Sequence, residues 1–106
     1  MINKKNKNRG YQQLRVWVDA INYYSQTCEV VRRFPYELKK VAAQAIASSD
    51  SIHRNIAEGY CRKSINEYIH YLYIAMGSLG VSLFQVFMPS ITLIRYQKLI
   101  FKNLTN

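Results

Sequence analysis

The chain has 106 residues, 49% of them apolar, with only four glycines and two prolines. That length excludes more than one domain, the apolar share excludes a disordered chain, and the scarcity of turn formers excludes a turn-rich all-β fold. Fifteen Lys and Arg against six Asp and Glu give a formal charge of +9, which points to a polyanionic partner, either nucleic acid or an anionic membrane face.

Residues 1–10, MINKKNKNRG, bring Lys4, Lys5, Lys7 and Arg9 together with almost nothing apolar. The expectation is a flexible basic arm, read either as a phosphate-contacting segment or as a solubilising tail. It leads into no apolar run, so no signal pattern is expected, and two cysteines, Cys28 and Cys61, make no disulfide framework. A reducing, cytoplasmic setting follows as the expectation.

The remainder, 11–106, is expected to form one helical domain. A first helix is predicted from about Gln12 to Arg33, with Leu14, Trp17, Ile21, Tyr24, Cys28 and Val31 on a seam of alternating three and four steps. Arg32 and Arg33 suit the negative end of its dipole, and Phe34-Pro35 ends it. A second helix starts near Pro35 or Tyr36, carries Leu38, Ala42, Ala45, Ser49, Ile52 and Ile56 on one stripe, and is expected to stop at Gly59 as a C-cap. A neighbouring small stripe, Ala43, Ala47 and Asp50, would suit a second subunit.

Ser64-Ile65-Asn66-Glu67 is a capping box and opens a third helix, whose inward seam is predicted to be Ile69, Leu72, Met76, Leu79, Leu83 and Val86. Tyr68, Tyr71, Ala75, Ser78 and Ser82 form a second, mixed stripe beside it. Pro89-Ser90 is expected to break the run. A short fourth helix would then reach about Asn103, with Leu93, Ile100 and Leu104 inward and Arg95, Lys98 and Lys102 outward. The predicted fold is all-α, an antiparallel up-down four-helix bundle. The stretch from Tyr68 to Ile94 is long enough to span a bilayer, but it holds His70, Ser78, Ser82, Gln85, Ser90 and Thr92 and is interrupted by Pro89. A helix buried by protein, without a membrane partner, is therefore expected.

No residue pattern points to an enzyme. His53 and His70 are the only histidines. Cys61 and His70 lie at opposite ends of a turn and a helical run, and nothing supplies an orienting group or oxyanion donors. No paired ligand spacing suggests a metal, no Gly-rich loop suggests a nucleotide, and no cofactor is expected. The chemistry that the residues do suggest is contact with RNA or DNA. The candidates are Lys4, Lys5, Lys7, Arg9, Arg32, Arg33, Lys39, Lys40, Arg54, Arg62 and Lys63, with Tyr60 able to stack a base.

The segments LRVW (14–17), RRFP (32–35), NIAEGYCRKS (55–64) and EYIHYLYIAMGSL (67–79) resemble a small four-helix-bundle family. It includes proteins encoded in intervening sequences of bacterial large-subunit ribosomal RNA genes and the accessory variability determinants of diversity-generating retroelements. The resemblance covers about residues 13–87. It implies a barrel-like homopentamer with a basic surface and no enzymatic activity. In the retroelement branch it also implies binding to nucleic acid and to a partner reverse transcriptase; the alternative is an intervening-sequence protein acting as an oligomeric protein-interaction scaffold. His53-Arg54 stands where the family usually has proline and serine, and Gly80-Val81-Ser82 replaces a usually acidic stretch. The second departure favours the nucleic-acid-binding branch.

Overall fold

The computed structural model describes residues 10–105, and within them every side chain except those of Leu93, Tyr96 and Thr105. The expected basic arm, with Lys4, Lys5, Lys7 and Arg9, lies outside the described residues. The rest is helical: a 3-10 turn at Gly10–Gln13, α1 at Arg15–Val31, a 3-10 turn at Tyr36–Leu38, α2 at Lys39–Tyr60 and α3 at Ile65–Thr105. The chain therefore has three long helices.

Local chemistry sets the boundaries. Leu14 is extended (φ −72°, ψ 127°) and its carbonyl accepts from the Val18 N–H at 3.1 Å, so α1 starts there without a side-chain cap. After α1 the Arg33 and Phe34 amides bond back to Val30 and Val31, and extended Pro35 (φ −66°, ψ 162°) turns the chain into the next helix. Ser64 caps α3 as expected, accepting from the amides of Asn66 (3.2 Å) and Glu67 (3.4 Å).

α2 is the central helix and packs against both others, while α1 and α3 meet only briefly. The α2–α3 register is antiparallel. Gln44 Oε1 accepts from Gln85 Nε2, Ser51 meets Ser78, and Gly59 lies under Tyr68 and Tyr71. The core is built from Ala20, Ile52, Ile56 and Ala75, with Leu14, Trp17, Tyr23 and Leu72 packed on it. The predicted seam of α2 turns inward, with Ala45, Ser49, Ile52 and Ile56 buried, whereas in α1 only Val31 of the predicted seam is buried, its other members are half-buried, and Ala20 and Thr27 beside it are enclosed.

Three expectations are corrected. The first concerns α3, whose predicted seam is largely turned to solvent: Met76 is 65% exposed, and Ile69, Leu79 and Leu83 are also exposed. The mixed stripe is buried instead, with Ala75 and Ser82 enclosed and Tyr68, Tyr71 and Ser78 half-buried. The reason is the partner. α2 offers Ala45, Ser49 and Gly59, and such a small-residue surface admits a close backbone only when the facing residues are small as well. Hydroxyl and amide pairs then close the seam, Ser48 to Gln85 at 3.0 Å, Gln85 to Gln44 at 3.0 Å and Ser51 to Ser78 at 3.0 Å, while Tyr23 of α1 meets Ser82 at 2.7 Å.

The second correction is Gly59. No described residue has a positive φ, and α2 continues to Tyr60, so Gly59 is not a left-handed cap. Its hydrogen is needed for space, because a Cβ there would lie 2.7 Å from the Cβ of Tyr71.

The third is the fourth helix. α3 runs unbroken through Pro89 to Thr105, so the four-helix bundle is replaced in the single chain by three helices, the last of 41 residues. Proline removes one backbone bond, but its φ suits a helix, and no glycine or second proline follows it to form a turn. Thr92 also returns its hydroxyl to the Met88 carbonyl at 3.0 Å. The expected inward residues Ile100 and Leu104 are exposed, Leu104 by 80%, and the Leu93 side chain lies outside the described ones. By length and composition α3 could cross a membrane, although one face of its first half is packed on α2.

Candidate functional site

The sequence candidates separate to two ends of the molecule. At the α2–α3 corner, Arg62 is an anchored residue. One guanidinium nitrogen donates to Glu58 (2.8 Å) and to the Tyr71 hydroxyl (2.8 Å), and the other lies 3.7 Å from Glu67. The guanidinium carbon also sits 5.2 Å from the Tyr71 ring centre. Tyr71, foremost, and the Glu58 hydrogen bond raise the Arg62 pKa above its ordinary value, so the side chain stays charged and holds the turn. Tyr60 is half-buried beneath Gly10 and set edge-on to Tyr68 at 6.1 Å. Of the corner trio, Lys63 is the exposed cation for which no ion pair is formed among the described residues. Arg54 lies one helix face away and is paired with Asp50 at 2.6 Å.

The opposite end is more basic. Arg32 is paired with Glu29 at 2.9 Å, and Lys39 sits 5.6 Å over the Tyr36 ring. Arg33 and Lys40 are exposed with no acidic partner among the described residues. Because α3 passes this end instead of folding back, Arg95, Lys98 and Lys102 project beyond Arg32, Arg33, Lys39 and Lys40. This end thus gathers cations from all three helices, with Arg32 paired to Glu29, while at the other end Arg62 and Arg54 are each paired with a carboxylate. Sequence reasoning missed this concentration because it placed a turn at Pro89.

Beside these cations an apolar groove of about 1080 Å³ runs between α2 and α3, lined chiefly by Leu38, Val41, Gly77, Val81, Phe84 and Met88. Gly77 and Gly80 are open here, with no atom within 4 Å of a Cβ position. Neither glycine serves close packing among the described residues.

A second, smaller cavity of about 390 Å³ is lined by Tyr11, Trp17, His53, Arg54, Glu58 and Cys61, among others. The Trp17 ring is held edge-on by Tyr11 (5.3 Å) and His53 (6.3 Å), and its buried Nε1 has no hydrogen-bond partner among the described residues. His53 is fixed by Asp50 at 2.9 Å. His53 thus joins Trp17 and Tyr24 in an aromatic cluster between α1 and α2. Cys61 is exposed, Cys28 half-buried, and neither forms a disulfide. Among the described residues no three His, Cys, Asp or Glu side chains gather as a metal site.

A model of the family described as 23S rRNA-intervening sequence protein matches residues 12–85. No curated protein and no solved structure matches the chain. The matched span holds α1, α2 and the first half of α3, and it stops just before Pro89.

Proposed function

Because the chain belongs to the 23S rRNA-intervening sequence protein family, we propose that it is a non-enzymatic helical scaffold that works as a homo-oligomer. The observation that supports this most is uncovered surface. A compact chain of this mass exposes about 6,100 Å², whereas this one exposes 8239 Å². The excess, roughly 2,000 Å², is what a large permanent interface removes from water. It is also of the right kind, since Val81, Phe84, Phe87, Met88, Ile91 and Ile94 lie open along α3. Five copies in a barrel-like ring is the arrangement that the family resemblance supports. Light scattering on the purified chain tests the reading. A mass several times the 12.4 kDa of one chain is expected, and a folded particle of one chain mass overturns it.

The basic end supports a second reading, contact of the assembled scaffold with RNA or DNA. Arg33, Lys40, Arg95 and Lys98 stand exposed at one end of every copy, and an oligomer multiplies that field. A reverse transcriptase as an additional partner draws its support from the motif resemblance. Filter binding of single-stranded RNA should weaken steeply with salt, and the Lys39→Glu/Lys40→Glu pair should weaken it more than Lys63→Glu does. Binding insensitive to both salt and charge reversal removes this reading and leaves the scaffold untouched.

A further inference from the structure

We infer that the turn between α1 and α2 is a contact point for unpaired nucleotide strands, where Tyr36 stacks on a base and Arg33, Lys39 and Lys40 hold the flanking phosphates. The inference rests on the nucleic-acid reading above and identifies the site and the kind of strand it takes.

The sequence places Tyr60 beside Arg62 and Lys63, but the fold packs the Tyr60 ring under Gly10 and against Tyr68, and Arg62 is held by Glu58 and Tyr71. Among the described tyrosines only Tyr36 and Tyr73 are exposed. Along α3 the neighbours of Tyr73 at three and four steps are Ile69, His70, Met76 and Gly77, with no Lys or Arg among them. Tyr36 is 81% exposed, the highest value for any large apolar side chain among the described residues. The backbone holds it there. The Phe34 amide donates to the Val31 carbonyl (3.0 Å), the Leu38 amide donates to the Pro35 carbonyl (2.9 Å), and half-buried Leu38 sits in the groove wall.

An exposed ring by itself is ordinary surface; the charges around this one set it apart. The 3-10 turn runs directly into α2, so Lys39 and Lys40, three and four residues on, share the Tyr36 face. The Lys39 ammonium lies 5.6 Å from the ring centre. Arg33, Lys39 and Lys40 are exposed and form no ion pair among the described residues, whereas Arg32 is paired with Glu29. The two lysines also stand where they cost stability. The first turn of α2 holds no acidic residue, and cations there oppose the positive pole of the helix dipole. Arg32 and Arg33, at the end of α1, are favoured by the same effect, so they have a structural reason that Lys39 and Lys40 lack. Glu37 is the one carboxylate between Arg32 and Lys40, and it lines the groove. A phosphate brought from outside relieves the repulsion among the cations.

The cations alone would serve any polyanion, and the ring adds a preference. In a duplex the base faces are already stacked on one another, so a tyrosine on a convex turn meets only backbone. In an unpaired strand every base offers a flat face, and stacking on an aromatic side chain tolerates any sequence. The site lies wholly between Arg33 and Lys40, so it is complete in each copy and does not depend on the course of the chain after Pro89.

The test titrates the full chain into short labelled oligo(U), oligo(dT), an abasic deoxyribose-phosphate strand of the same length and a duplex, read by fluorescence anisotropy. Oligo(U) and oligo(dT) should bind more tightly than the abasic strand and the duplex. Tyr36→Ala should lose roughly tenfold on the strands that carry bases and nothing on the abasic one. Tyr36→Phe should keep the affinity, because the ring and not the hydroxyl does the stacking. Lys39→Gln/Lys40→Gln should weaken every strand and lower the salt slope by about two. Circular dichroism and light scattering verify that each variant keeps its helicity and its mass. A Tyr36→Ala loss confined to oligo(U) or to oligo(dT) supports the stacking and identifies the sugar. Unchanged affinity in Tyr36→Ala, an equal loss on the abasic strand, or a preference for duplex overturns the inference while leaving nucleic-acid contact standing. A Tyr36→Ala chain that loses its oligomeric mass shows that the ring meets another subunit, which also overturns it. Failure of the unmodified chain to bind any strand overturns both the site and the reading it rests on.

Discussion

At the level of single residues, the α2–α3 contact depends on what is missing from Gly59. A methyl group there would meet the Cβ of Tyr71 at 2.7 Å and the Tyr68 backbone oxygen at 3.3 Å. Neither atom is the movable tip of a side chain. Overpacking of this kind costs about 1–3 kcal/mol, whereas alanine's better helix propensity returns at most about 1 kcal/mol. Gly59→Ala should therefore lower the urea midpoint of unfolding, and an unchanged or higher midpoint would show that the two helices can separate freely. Arg62 illustrates a different point. Its bonds to Glu58 and Tyr71 make it part of the turn, so reversing its charge disturbs the fold along with any nucleic-acid contact. Lys63, exposed beside it, is the cleaner probe of that corner.

Among the elements, α3 decides the architecture. Its 41 residues contain Pro89 in the interior, and an interior proline costs a helix about 3 kcal/mol relative to alanine. Pro89→Ala should thus increase helical ellipticity and raise the melting temperature. A fall in either would mean that the chain uses the proline to turn, as a four-helix bundle in one chain requires. The same helix shows why hydrophobicity alone mispredicts a buried face. Leucine and isoleucine at helical spacing look like a core, yet the stripe with Ala75, Ser78 and Ser82 is the one accepted by α2. Each hydroxyl or amide pair in that seam adds about 1 kcal/mol, and their greater effect is to fix the register.

For the whole molecule, three helices bury too little. The fully enclosed apolar side chains among the described residues are Ala20, Val31, Ala45, Ile52, Ile56 and Ala75, and four of these are alanine or valine. Under the homo-oligomeric reading proposed above, association supplies part of the stability of a chain with so small a core, and stability gained that way depends on concentration. The melting temperature should drop by roughly 3–5 °C for each tenfold dilution. A melting point independent of concentration would mark a self-sufficient monomer. The charge distribution belongs to this scale as well, since the cations of α1, α2 and α3 meet at one end only because α3 does not turn.

Much was decided by sequence alone. Periodicity predicts three of the helices and the buried face of α2, Pro35 and Ser64 mark their boundaries, and NIAEGYCRKS resembles the family and predicts a tight corner between helices. These are local properties, set by backbone sterics, capping and the spacing of apolar groups within one or two turns. The tertiary structure decided what depends on a partner surface: which stripe of α3 is buried, why Gly59 is small, and which cations stand paired. It also showed that the chain after Pro89 continues outward. A proline can break a helix or sit inside one, and the outcome rests on whether the following residues find a surface to fold against. Here Gln44 and Ser48 join α2 to Gln85 just before Pro89, and the chain beyond the proline continues as α3.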